Sequence, residues 1–235
     1  MRDGLSDGTA WRAVTVLAFT AGGVDAVGVA ALSRFVSHMS GTTTTLSLAL
    51  TSGRADLAAL CVVVLLAFSL GASATGVAVT RDRWRDAREA APILLWAEAA
   101  LIAAAALIAC VRLGELWRTA AVAIPLAAAM GCQNRTGVIL AGGKARTTHV
   151  TGTLTDLGYH TGRLLRSTAT ARASRAEDVA AAYRLLALFT GFLAGGLVGY
   201  TLVKFGGAAI VAGFAPLPAM VGAVVRARTR SSSPA

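Results

Sequence analysis

Two short polar segments carry most of the chemistry open to this chain. The first reads Ser37-His38-Met39-Ser40-Gly41-Thr42-Thr43-Thr44-Thr45-Leu46, and the second Thr148-His149-Val150-Thr151-Gly152-Thr153-Leu154-Thr155-Asp156-Leu157. At a constant offset of 111 residues the His, the Gly, two Thr and the Leu are identical, and Ser37/Thr148 and Ser40/Thr151 keep their hydroxyls. A hydroxyl beside glycine, followed by residues able to continue as helix, marks a helix start; Ser40 or Thr42, and Thr151 or Thr153, are the expected N-caps. A half-helix beginning there leaves orphan N–H groups and the positive end of its dipole free. Two such ends brought together would make a site for an anion or a polar group. The alternative is a pair of extramembrane loops or helix-packing devices, which need not resemble each other.

Ionisable and polar side chains within apolar stretches form the second group. Asp25 follows Gly22-Gly23-Val24, and its counterpart in the second half, Asn134, lies in Gln133-Asn134-Arg135. Such groups are costly in a membrane unless paired or wetted, so they read as functional by default. Asp25 is either a pathway residue or half of a buried ion pair with Arg135. Glu98, flanked by alanines, is either a titratable carrier residue or one that reaches the interface. His38 and His149 are repeat mates, but without carboxylate or thiol companions at ligand spacing they do not make a metal site. His160 has no counterpart and reads as solvated or facing headgroups. Cys61, Cys110 and Cys132 lie in apolar stretches with no CxxC spacing and read as small buried hydrophobes. The candidate substrate or pathway residues are therefore Asp25, His38, Ser40, Gly41, Thr42, Glu98, Gln133, Asn134, Arg135, His149, Thr151, Gly152, Thr153 and Asp156.

The elements that must position these residues are membrane spans. Of the 235 residues 55% are hydrophobic and 14% charged, against about 25% charged in soluble domains. Apolar runs at roughly 13–33, 57–80, 91–111, 119–142, 185–203 and 206–225 have the length needed for a hydrocarbon core about 30 Å thick. The last two are joined at Lys204-Phe205, and Pro216 and Pro218 predict a kink in the sixth. Trp11, Trp84 and Trp117 sit near span ends, as interfacial aromatics do; Trp96 lies inside a span and is expected to pack on a neighbouring helix. No cleavable signal peptide is evident.

The net charge is +10, but the basic residues lie between apolar spans rather than on a nucleic-acid-reading face. Sixteen Lys and Arg fall on the side of the N-terminus, the second and fourth loops and the C-terminus, against five on the other. The positive-inside rule makes both termini cytoplasmic. The Arg163–Arg175 stretch is expected on cytoplasmic headgroups, and residues 226–235 as a disordered tail.

The internal match extends outward. Asp25-Ala-Val-Gly28 parallels Asn134-Arg-Thr-Gly137, with two extra residues in the second half; Leu65-Leu-Ala67 with Gly71 and Gly76 parallels Leu185-Leu-Ala187 with Gly191 and Gly196. Each half is a span, the motif, then two spans: repeat 1 about 13–111 and repeat 2 about 119–225. An odd number of spans inverts the second half, as in secondary transporters. The fold class is thus an all-α integral membrane protein of six transmembrane helices in one domain, as two inverted three-helix repeats, each with a Ser/Thr-Gly motif able to start a re-entrant or short half-helix.

Gly23-Val-Asp25-Ala26, Met39-Ser40-Gly41-Thr42-Thr43-Thr44, Gln133-Asn134 and Thr147–Thr155 carry a resemblance over roughly 20–225 to the YoaK-type bacterial membrane proteins, the family DUF1275. It implies a polytopic inner-membrane protein and supplies no substrate. The residues point to a secondary transporter or exporter of a small solute, anionic or polar, working by alternating access. The alternatives are a channel or a non-transporting accessory protein. No HExxH, GxSxG or carboxylate-rich metal motif argues for an enzyme. No cofactor is indicated; the expected partners are the bilayer and the solute, with homo-oligomerisation open.

Overall fold

The computed structural model describes residues 7–79, 87–166 and 172–231, and among these every regular element is helical. Trp84 and Arg81, Arg83 and Arg85, which entered the interfacial and charge readings, lie outside the described residues. The order is α1 (Asp7–Leu32), α2 (Met39–Thr51), α3 (Ala55–Ala78), α4 (Ala87–Ala109), α5 (Glu115–Leu140), α6 (Val150–Arg166), α7 (Arg172–Gly206), a 3₁₀ segment (Gly207–Phe214) and α8 (Pro216–Ser231).

Four helical stretches are long and apolar enough to cross a membrane: Gly8–Leu32, Ala55–Ala78, Glu89–Ala109 and Arg175–Ser231. They mark the chain as a membrane protein. The helix α5 has the length, at 26 residues, but Arg118 and the run Gln133-Asn134-Arg135 make it more polar. The run Arg175–Ser231 turns at Gly207, whose φ of +55° is a left-handed conformation that suits glycine.

Here the proline expectation is corrected. Pro216 and Pro218 do not kink a continuous helix; they occupy the first turn of α8, where a missing N–H costs nothing. Helix α8 also continues through Ser231, so residues 226–231 are helical rather than part of a tail; 232–235 lie outside the described residues.

The helices meet backbone to backbone where glycine allows it. A Cβ on Gly22 of α1 would overlap the Phe192 carbonyl of α7, and one on Gly195 of α7 the Phe19 carbonyl of α1. The same arrangement recurs between α5 and α3, where Gly131 meets the Phe68 carbonyl and Gly71 the Ala128 carbonyl. The recurrence pairs Phe68 and Gly71 with Phe192 and Gly195, one helical turn later than the sequence alignment of Gly71 with Gly191. Gly/Ala-rich helices match in several registers, and packing selects one.

Among the described residues, two large apolar clusters make most of the interior. One gathers Ala21, Val24 and Val27 of α1, Ile102 and Ala105 of α4, Leu126 and Met130 of α5, and Val211 and Phe214 of the 3₁₀ segment. The other gathers Val14 and Leu17 of α1, Ala91 and Leu95 of α4, Leu140 of α5, and Val221 and Val225 of α8. Between them, on the same three helices, lie Thr20, Glu98, Gln133 and Thr136, all fully buried. Trp96 packs as expected: its indole N–H donates to the Ala219 carbonyl of α8 at 3.2 Å.

Candidate functional site

Both polar motifs begin short helices. At 13 residues α2 extends about 20 Å, short of a hydrocarbon core of about 30 Å. The chain reaches its start by folding back along α1. Asp25 Oδ1 accepts the N–H groups of Val36 at 3.1 Å and Ser37 at 2.9 Å, although α1 runs on to Leu32. Gly28 makes room for the returning strand, since a Cβ there would lie 2.9 Å from the Arg34 carbonyl and 3.2 Å from the Val36 side chain.

The second motif is braced similarly. Gln133 donates to the Leu17 carbonyl at 2.8 Å and to Thr147 Oγ1 at 2.9 Å, and Gly137 faces Thr147. Asp25 and Gln133 each sit seven residues before the end of their helix, about 10 Å along the axis.

His38, not Ser40 or Thr42, is the N-cap of α2, and it makes no side-chain capping bond; α6 likewise begins directly after His149. The threonine hydroxyls turn back into their own helices instead: Thr42 donates to the His38 carbonyl at 3.3 Å and Thr153 to the His149 carbonyl at 3.1 Å. Threonine inside a helix commonly bonds this way. The histidine rings fold over the glycines three residues on, and a Cβ at Gly41 or Gly152 would run into His38 or His149. The His-x-x-Gly spacing therefore serves the packing of ring on backbone.

The two helix starts line one cavity of about 390 Å³, a size typical of small-molecule sites. Ser37, His38, Met39 and Ser40 come from the first motif and Thr148, His149, Val150 and Thr151 from the second, with Phe68, Asn134 and Arg146 completing the wall. Among the described residues, no acidic one lines it. Asn134 Oδ1 is buried with no hydrogen-bond partner. Two helix N-termini, a guanidinium and two imidazoles favour an anion or a group rich in acceptors.

Of the expected site residues, His38, Ser40, Asn134, His149 and Thr151 reach this cavity. Asp25 and Gln133 brace the segments leading into it, Gly41 and Gly152 admit the rings, and Thr42 and Thr153 fasten the first turns. Asp156 lies apart, in a smaller cavity of about 150 Å³ that shares Arg146 and His149 with the first.

For three residues the structure rules out one of the readings the sequence left open. Arg135 is exposed and forms no ion pair with Asp25; helical geometry turns it away from the Asn134 side. Glu98 does not reach the interface, being fully buried in α4 with both carboxyl oxygens unpartnered. His160 is not simply solvated: its Nδ1 lies 2.8 Å from Asp178 Oδ1, and Arg163 Nε donates to Asp178 Oδ2 at 3.0 Å, tying α6 to α7. Of the cysteines, Cys61 and Cys132 are buried as expected, whereas Cys110, at the end of α4, is exposed.

The sequence reading missed Arg146, which it counted among loop cations, and Phe68, which it did not single out. The position of Arg146 two residues before the second motif was the available signal.

No curated protein matches this chain, and no solved structure does. One family model, described as "Protein of unknown function (DUF1275)", matches residues 13–224; the chain belongs to that family.

Proposed function

We propose that this protein is a secondary transporter of a small anionic or acceptor-rich solute, embedded in a bacterial inner membrane with both termini cytoplasmic. Its six spans (α1, α3, α4, α5, α7, and the 3₁₀ segment with α8) form two inverted halves. In each, the motif helix is re-entrant, starting near the bilayer midplane and running outward.

The recurring glycine contacts of α1 with α7 and α5 with α3, and the matching braces at Asp25 and Gln133, support the two-fold relation. Polar backbone at membrane depth is tolerated where it lines a cavity, and half-helix N-termini facing one another at a repeat interface suit an anionic group. The basic bias supports the orientation, and moving Arg146 into the cavity wall leaves it intact. The observation that carries the reading is the 390 Å³ cavity bounded by both motif helices, with Arg146 and no acid in its wall.

The test is exchange flux in liposomes holding the purified protein and labelled phosphate, sulfate, acetate or succinate. A carrier gives saturable exchange of at least one anion, reduced at least tenfold by Asn134→Leu and by Arg146→Gln and unchanged by Arg135→Ala. Flux that rises without saturation marks a channel, and equal flux in all variants removes the cavity from the pathway.

A further inference from the structure

Glu98 is a buried carboxylate that the cavity does not use. It lies fully buried between the two apolar clusters, in the layer shared with Thr20, Gln133 and Thr136, and neither of its oxygens has a hydrogen-bond partner. An ionised carboxylate so placed would have nothing to offset its desolvation.

The groups facing it are few. Helix α4 packs against α5, the 3₁₀ segment, α8 and, at its margin, α3. From α5 the Cys132 thiol is within electrostatic reach of Glu98 and bonds to the Leu94 carbonyl one turn away. Residues 207–225 contain no titratable side chain; the arginines of α8 begin at Arg226, beside Trp96. The titratable residues of α3 are Asp56 and Cys61, near its start, where Cys61 packs with Ala49 and Leu57. No cation among the described residues forms an ion pair with Glu98.

One turn of α5 connects this carboxyl with the cavity. Cys132 bonds the Leu94 carbonyl one turn before Glu98, Gln133 holds Thr147 at the entry to the second motif, and Asn134 lines the cavity wall. A shift of that turn would move the surroundings of Glu98 and the shape of the cavity together. Glu98 also has the burial expected of a proton-relay carboxylate in a transporter interior.

We propose that Glu98 is a proton-binding site, occupied in this arrangement and exchanging its proton with water when the helices around α5 move. Its use as the coupling site rests on the transporter reading; its existence as an exchanging proton site does not. The bookkeeping is a single step: the carboxylate takes a proton from water on one side, and the carboxyl returns it on that movement.

Infrared difference spectroscopy on the detergent-purified protein tests this without any solute. The wild-type minus Glu98→Gln spectrum should show one protonated-carboxyl band at neutral pH. That band should shift in D₂O within minutes and disappear reversibly at alkaline pH while the helical signal persists. If Glu98→Gln does not fold, Glu98→Asp keeps the carboxyl and should displace the band. Absence of the band at neutral pH would show an ionised Glu98 and overturn the proposal. A band that survives hours in D₂O would show a sealed structural carboxyl and overturn it equally. A failed flux assay with an exchanging band would refute transport and leave the proton site standing.

Discussion

Asp25 offers the sharpest test of how the first motif is held. Its Oδ1 accepts two backbone N–H groups, from Val36 and Ser37, in a side chain only 8% exposed. Asp25→Ala strands both donors where little water reaches, and a buried donor left unsatisfied costs about 1–3 kcal/mol. The expected loss is therefore about 4 kcal/mol for the pair. Asp25→Asn keeps an acceptor at the same place, losing the stronger charge-assisted bonds but also the cost of a buried charge, so it should fall within about 1 kcal/mol of wild type. For a protein of this size each kcal/mol moves the midpoint by about 2–4 °C, so Asp25→Ala should melt roughly 8–16 °C lower and Asp25→Asn less than about 4 °C lower. Thermal unfolding in one detergent, followed by circular dichroism, reads both. Equal losses in the two variants would mean that the charge matters and not the acceptor, and the bracing role would be wrong. Two unchanged midpoints would show that the returning strand is held by other contacts.

The helix contacts and the topology yield two more expectations. Gly131→Ala and Gly22→Ala each drive a Cβ into a facing backbone carbonyl, and such overpacking should cost about 1–3 kcal/mol. Gly76→Ala, with open space around it, should stabilise α3 by about 0.5–1 kcal/mol; unfolding of the three variants side by side checks the order. A membrane-impermeant maleimide added to intact cells should label exposed Cys110, between α4 and α5, and spare buried Cys61 and Cys132; labelling only after the cells are opened would reverse the proposed orientation.

Much of this was legible in the chain because apolar runs and a repeated motif are one-dimensional signals. The starts of α2 and α6 fall within two residues of the motif hydroxyls, and the two motifs meet at one cavity. The capping residue was misread because serine and threonine win that position in water. In an apolar setting their hydroxyls find the carbonyl four residues back, leaving the position to histidine. The partnership of His160 with Asp178 was hidden for another reason: the residues are 18 apart and lie on two different helices, and no periodicity links them. Arg146 escaped because counting charges by loop assigns every cation between spans to water. Glu98 was visible as an oddity, but its isolation between two apolar clusters depends on which helices surround α4.

The cross-pairing of helices also bears on how the protein is made. Gly22 of α1 finds its backbone partner at Phe192, and Gly131 of α5 finds its own at Phe68, so neither half holds the neighbours its first helix needs. With ribosomes adding about 5–20 residues per second, α1 waits roughly 10–30 s in the bilayer before α7 is synthesised. During that interval its glycine face is open to lipid or to the insertion machinery. Expressed as two separate polypeptides cut between α4 and α5, the halves should therefore accumulate only when produced together.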